Sequence, residues 1–191
     1  FCIEHKKRCY VTLNTLLDEE ALSLIIPTIR ELAFIGCDGV IVQDLGLARL
    51  IRTHVPTLPL HASTQIAVHT AEGVKELSRL GFERVVLARE LTIEEVAAIR
   101  KACPSVELKV FIHGALCYSV SGACMASYQL SRRSANEGAC AQICRSYFTV
   151  EADEAVPPAL SPMPAGPKQA WFFSMSDLAA GETIRRLDKI G

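Results

Sequence analysis

The sequence predicts an α/β protein: a parallel (β/α) barrel of TIM type, present as a fragment of about five or six strands. Three observations carry this. Short apolar, β-branched runs alternate with longer segments of helical period. The strand-like runs are nearly continuous in hydrophobicity, as strands covered on both faces are. Each such run also ends in polar residues: Asn14, then Gln43 and Asp44, then His61, Ser63 and Thr64, then Arg89 and Glu90, then His113. An open doubly wound sheet also places its ligands at the C-terminal strand ends. The barrel is preferred because functional groups end every strand, not only those at one switch point.

The elements follow in order. CYVTLN (Cys9 to Asn14) reads as a strand. DEEALSLIIPTIRELAFIG carries apolar residues at helical spacing, with Pro27 set to interrupt it and Gly36 to end it. GVIVQD is the second strand and LGLARLIRTH a short helix. TLPLHAST is a strand with a polar tip, TAEGVKELSRLG a helix stopped by Gly81, and ERVVLARE a strand. TIEEVAAIRKAC opens with Thr92 and Glu95, a capping box. ELKVFIHG (Glu107 to Gly114) is the fifth strand. AWFFSM is expected as a sixth, and SMSDLAAGETIRRLDKIG as a helix capped by Ser176. Residues 1–148 thus hold the central βα units, 149–169 a proline-rich excursion, and 170–191 a further strand and helix. The chain is expected to be the middle of a barrel, because a complete one needs eight strands.

Half of the residues are hydrophobic, 21% are charged and the net charge is −1, so bulk charge points to neither nucleic acid nor membrane. No apolar run approaches the roughly 20 residues that span a bilayer. A chain this rich in core residues does not need a secreted disulfide framework, so its eight cysteines are expected in a reducing cytoplasm. Clustered thiols there are more often metal ligands or catalytic groups.

Four of them, Cys117, Cys124, Cys140 and Cys144, fall in HGALCYSVSGACMASYQLSRRSANEGACAQIC. Their gaps of six, fifteen and three residues do not form two zinc knuckles. A cluster gripped by a long loop, a zinc site and buried structural thiols all remain open on spacing alone. Cys2, Cys9, Cys37 and Cys103 read as small buried hydrophobes.

HGALCYSVSGAC and RSANEGACAQICR, with YVTLN, VIVQDLGLARLIR, LPLHASTQ and RVVLARELT in that order, resemble the collagenase-like peptidase family of unknown catalytic type, peptidase family U thirty-two. The resemblance covers nearly all of Lys7 to Phe148. It implies a (β/α) barrel and oxygen-independent hydroxylation of a tRNA or rRNA base or of a small aromatic, with prephenate as a co-substrate of the RNA-acting members. It also implies a four-iron, four-sulfur (4Fe-4S) cluster on Cys117, Cys124, Cys140 and Cys144. Handling in air is expected to strip the cluster or let zinc replace it.

Around these thiols stand other candidates, each with a plainer alternative. His113 is a candidate proton donor, or a histidine holding the loop. Glu90, after Arg89, is a candidate base, or half of an ion pair tying strand to loop. His61 with Ser63 suggests a nucleophile pair, but no nucleophile elbow surrounds it. Gln43 is a candidate substrate contact, while the adjacent Asp44 suits a helix cap. Arg132, Arg133 and Arg145 are candidate partners for RNA phosphates or a carboxylate co-substrate, or simply a solvated face. Tyr118, Tyr128 and Tyr147 offer surfaces for base stacking, or ordinary packing.

Three functions compete: an iron–sulfur hydroxylating enzyme, a collagenase-like peptidase, and a non-catalytic metal-stapled RNA-binding module. No HExxH, GxGxxG or Walker pattern occurs. Open sheet edges in such a fragment are expected to make it self-associate.

Overall fold

The computed structural model describes residues 1–2, 4–149 and 169–190; most of the predicted proline-rich excursion lies outside them. Five strands form one parallel sheet in sequential order: β1 (Tyr10–Leu13), β2 (Gly39–Val42), β3 (Leu60–Ala62), β4 (Phe82–Val86) and β5 (Glu107–Lys109). Between them lie α1 (Glu19–Leu24), α2 (Ile26–Phe34), α3 (Leu45–His54), α4 (Ala71–Arg79) and α5 (Ile93–Ala102).

Local chemistry sets the helix starts. Asp18, Asp44, Thr70 and Thr92 each accept a backbone N–H of the first turn, and Thr92 and Glu95 complete the capping box. Pro27 splits the first helical segment, because proline suits a first turn and not an interior.

The register assigns the faces. Val40, Val42, Leu60, Ala62 and Val85 are buried and join Ile29, Leu47, Ile51, Val74, Leu77, Val96 and Ile99 of α2 to α5 in one core. Each fully buried aliphatic side chain there contributes roughly 1.5–3 kcal/mol. The opposite face carries Thr12, Ile41, His61, Arg84 and Glu107, which are paired across the strands in register.

The sheet is open, with β1 and β5 as edges, as expected of five strands that do not close into a barrel. Other expectations are corrected. The fifth strand stops at Lys109, and His113 lies instead in β6 (His113–Gly114), antiparallel to β9 (Leu178–Ala179). AWFFSM adds no sixth strand to the sheet. Only its first residue is in a strand, β8 (Gln169–Ala170), antiparallel to β7 (Phe148–Thr149). Its rings pack sideways, Phe173 on Tyr118 and Phe148, and Trp171 on Tyr147, which holds the segment beside the cysteine loop. Ser176 caps no helix: β9 follows it, then a 3-10 turn and α7 (Ile184–Asp188). No helix among the described residues is long and apolar enough to cross a membrane.

Candidate functional site

Parallel strands bring their C-terminal ends to one side of the sheet. The cysteine segment, including α6 (Ala126–Ser131), folds over that side and encloses a cavity of about 400 Å³. Cys117, Cys124, Cys140 and Cys144 all line it, with Gln65, Arg89 and Asn136.

Two docking points hold the loop on the sheet. Gly122 (φ +74°) crosses the backbone after β3 so closely that a Cβ there would lie 1.9 Å from the Gln65 carbonyl oxygen. The same carbonyl accepts the Gln43 side-chain amide at 3.4 Å. At the second point, the Glu90 carboxylate accepts the Ser121 backbone N–H at 2.9 Å and its hydroxyl at 3.1 Å. Arg89 donates to the Ser121 hydroxyl and to the Ser119 carbonyl. Burial would raise the Glu90 carboxyl, but its hydrogen bonds from backbone and Ser121 and the neighbouring Arg89 charge hold it below the ordinary value. Glu90 thus ties strand end to loop, and its second oxygen lies 3.4 Å from Nε2 of His69.

Each cysteine sits beside a brace. Asn136 receives the Cys124 N–H at 3.2 Å and donates to its carbonyl at 3.3 Å. Ser127, 1% exposed, donates to the Arg133 carbonyl at 2.6 Å and accepts the Ala141 N–H at 2.9 Å, pinning the arm that carries Cys140. Arg145, next to Cys144, donates to the Leu116 carbonyl beside Cys117, to Ser174 and Met175, and to Asp177. Burial would raise the Cys124 thiol; hydrogen bonds from Ser119 and the backbone of Ser127 and Ala126 outweigh it and lower the thiol below its usual value.

The structure brings Gln43 and Glu90 to the loop, whereas His61 packs elsewhere and His113, at the start of the segment, does not line the cavity. His61, 4% exposed, turns its ring toward Tyr10 and Arg84, away from Ser63, whose hydroxyl accepts the Gln65 N–H. His113 is exposed on β6. Arg132 and Arg133 are exposed, the former over the Tyr128 ring at 5.7 Å. Asn136, Ser127 and Ser121 escaped the sequence reading. Small polar residues between cysteines carry no periodic signal, although buried loop backbone demands such partners.

A lysine at Arg145 cannot fork to four acceptors. Arg145→Lys is expected to cost about 1–3 kcal/mol of local stability. Hydrogen exchange should quicken at residues 114–118 and 174–177 and stay unchanged in β1 to β4; equal exchange in both regions would remove the bracing role.

As donors, four free thiols around one cavity suit a thiolate-bound metal group. Among the described residues, however, no three His, Cys, Asp or Glu side chains are gathered as a metal site. The chemistry of the donor set fits such a group, with Cys117 and Cys140 exposed and Cys124 and Cys144 partly buried.

An open parallel α/β sheet with a four-thiol loop over its C-terminal strand ends defines the class. The chain belongs to Peptidase family U32, whose profile matches residues 1–191. It is 41% identical over 154 residues to the "23S rRNA 5-hydroxycytidine C2501 synthase" of Escherichia coli strain K12, covering 81% of this chain and 23% of that protein. It is 36% identical over 145 residues to the "tRNA hydroxylation protein P" of the same organism, covering 76% and 32%. The "Collagenase" of Porphyromonas gingivalis is 33% identical over 160 residues, covering 78% and 38%. The chain thus spans between 23% and 38% of the length of these relatives. The solved structure of the U32 peptidase Mk0906 matches with a TM-score of 0.51 at 24% identity, covering 60% of this chain and 49% of that one, a likeness of fold.

Proposed function

We propose that the chain is part of a barrel-type iron–sulfur enzyme that hydroxylates a base of tRNA or rRNA without oxygen. A single observation carries the cofactor: all four cysteines of the segment line one cavity. The relatives named for tRNA and rRNA hydroxylation support the substrate class. Cys117, Cys124, Cys140 and Cys144 would hold a four-iron, four-sulfur cluster, which supplies one-electron transfer when bound. This chain's own residues do the rest: Glu90 and Gly122 dock the loop, Asn136, Ser127 and Arg145 orient its thiol-bearing arms, and exposed Arg132 and Arg133 meet RNA phosphates or the carboxylates of a prephenate-type co-substrate. The peptidase reading is weaker, because His61 faces Arg84 rather than Ser63.

Comparing tRNA and rRNA nucleosides by mass spectrometry from cells with and without the gene tests the reading; no missing hydroxylated nucleoside would refute it. In full-length protein purified anaerobically, Cys117→Ala is expected to abolish the broad violet absorbance and the bound iron while circular dichroism stays near wild type. Full iron occupancy in that variant would remove Cys117 from the ligand set.

The open edges of β1 and β5 leave unpaired backbone groups, so the isolated chain is also expected to self-associate. Light scattering across a dilution series should show a mass above one chain; a monomer at every concentration would reject this.

A further inference from the structure

The seat of the cysteine segment has a further member behind Glu90. His69 stands between two fixed points. Before it, Val68 is buried and its carbonyl accepts the Ala88 N–H at 3.1 Å. After it, Thr70 caps α4 by accepting the Gly73 N–H at 3.1 Å. Ala67 turns the chain into this position with a left-handed backbone, φ +60°. The two ring nitrogens of His69 have different partners. Nδ1 lies 2.7 Å from the Ala67 carbonyl oxygen, and Nε2 lies 3.4 Å from the Glu90 carboxylate. A carbonyl oxygen only accepts, so Nδ1 carries a proton. In the neutral ring Nε2 then turns a lone pair toward the carboxylate; only the imidazolium offers a proton to both partners. The same carboxylate accepts the N–H and hydroxyl of Ser121, which lies between Cys117 and Cys124 in the chain.

We propose that His69 is a positioning residue which, as the imidazolium, holds Glu90 in place to seat the cysteine segment, so that the seat loosens as pH rises through the titration of the ring. The sign follows from charge. At pH 6 the imidazolium pairs with Glu90, whose carboxyl is held below its ordinary value and stays ionised. At pH 8 a neutral ring faces the carboxylate with its lone pair, and Glu90 keeps only Ser121 and the adjacent Arg89 charge. Three other charged groups bear on the pair. Arg89 precedes Glu90 and donates to the Ser121 hydroxyl at 3.1 Å. Glu95 of α5 feels the His69 charge but is engaged by the N–H and hydroxyl of Thr92 at 2.7 Å and 2.9 Å. Glu72 of α4 is paired with Lys75 at 2.6 Å. Guanidinium, ammonium and carboxylate groups keep their charge between pH 6 and 8, so the imidazole is the group that switches. The latch acts on the loop backbone and holds whatever group the four thiols bind.

The Ser121 amide reports the latch directly, because its N–H is the one that Glu90 accepts. Its hydrogen exchange is measured in the intact protein at pH 6, 7 and 8, resolved to the residue by electron-transfer mass spectrometry, and divided by the intrinsic rate at each pH. In wild type the protection is expected to fall about two- to fivefold from pH 6 to pH 8, the span of a partly exposed ion pair. In His69→Gln, which keeps a donor for the Ala67 carbonyl but has no titrating ring, it should stay level. Sodium chloride at about 1 M should bring wild type at pH 6 down toward its pH 8 value and leave His69→Gln unmoved. Protection across β2 reports the global fold and should match in the two proteins. The paired comparison also separates His69 from the nearby thiols, which both proteins retain. An equal fall in wild type and His69→Gln would overturn the proposal. So would wild-type protection that stays level from pH 6 to 8, or that ignores salt at pH 6.

Discussion

Gly122→Ala is expected to undock the cysteine segment. The added Cβ would lie 1.9 Å from the Gln65 carbonyl oxygen and 2.8 Å from its carbon, both backbone atoms that cannot swing aside. The residue also holds φ +74°, which costs a non-glycine about 1–3 kcal/mol before any clash. Relieving the clash means surrendering the hydrogen bonds from Ser121 to Glu90 one residue away. The combined cost is expected to exceed about 3 kcal/mol, more than a surface loop can absorb without leaving its seat. Cys117 and Cys124 should then react with a thiol reagent much faster, and protease should cut between them, while β1 to β5 stay folded. Gly181→Ala is the control, with nothing within 4 Å of its added Cβ and no positive φ. Unchanged thiol reactivity in Gly122→Ala would show that the loop is not seated through this glycine.

Acid should weaken the fold through His61. Burial, the Arg84 guanidinium and Lys109 lower its pKa to about 4 against the opposing pull of Glu107. In the unfolded chain the imidazole titrates near 6.5. Between these values the unfolded chain binds a proton that the folded one refuses, so stability falls as pH drops from about 6.5 to 4 and is fully present above that window. The shift corresponds to a loss on the order of 3 kcal/mol. Urea unfolding at pH 7.5, 6, 5 and 4.5 should show a steeper decline in wild type than in His61→Gln, which lacks the titrating ring. The paired comparison separates His61 from Glu107, whose carboxyl is itself held low by its hydrogen bonds with Arg84. Parallel slopes in the two proteins would refute the assignment.

How far the sequence was legible depends on the range of the forces involved. The five parallel strands and their helices were readable because strand burial, periodicity and capping act within a few residues. Pro27 splitting α1 from α2 and the Thr92–Glu95 box are instances. The family motifs selected the four cysteines that face one cavity. The C-terminal segment misled: AWFFSM has the composition of a buried strand, but its rings found partners on Tyr118, Tyr147 and Phe148, residues distant in sequence.

By itself, then, the sequence determined the α/β class, the strand order through its βα repeats, and the thiol-rich loop at the strand ends. Only the tertiary structure decided the partners of the polar residues. His61 and Glu90 looked alike as polar groups at strand ends. The pleat turns His61 inward against Arg84, whereas the turn after β4 delivers Glu90 to Ser121. Arg145 looked like a phosphate ligand and became a brace, because the carbonyls of Leu116 and Met175 come within reach only when the chain has folded. The approach of Cys37 to Cys9 has the same origin: parallel pairing of β1 with β2 juxtaposes the residues before them, a relation that no local pattern encodes.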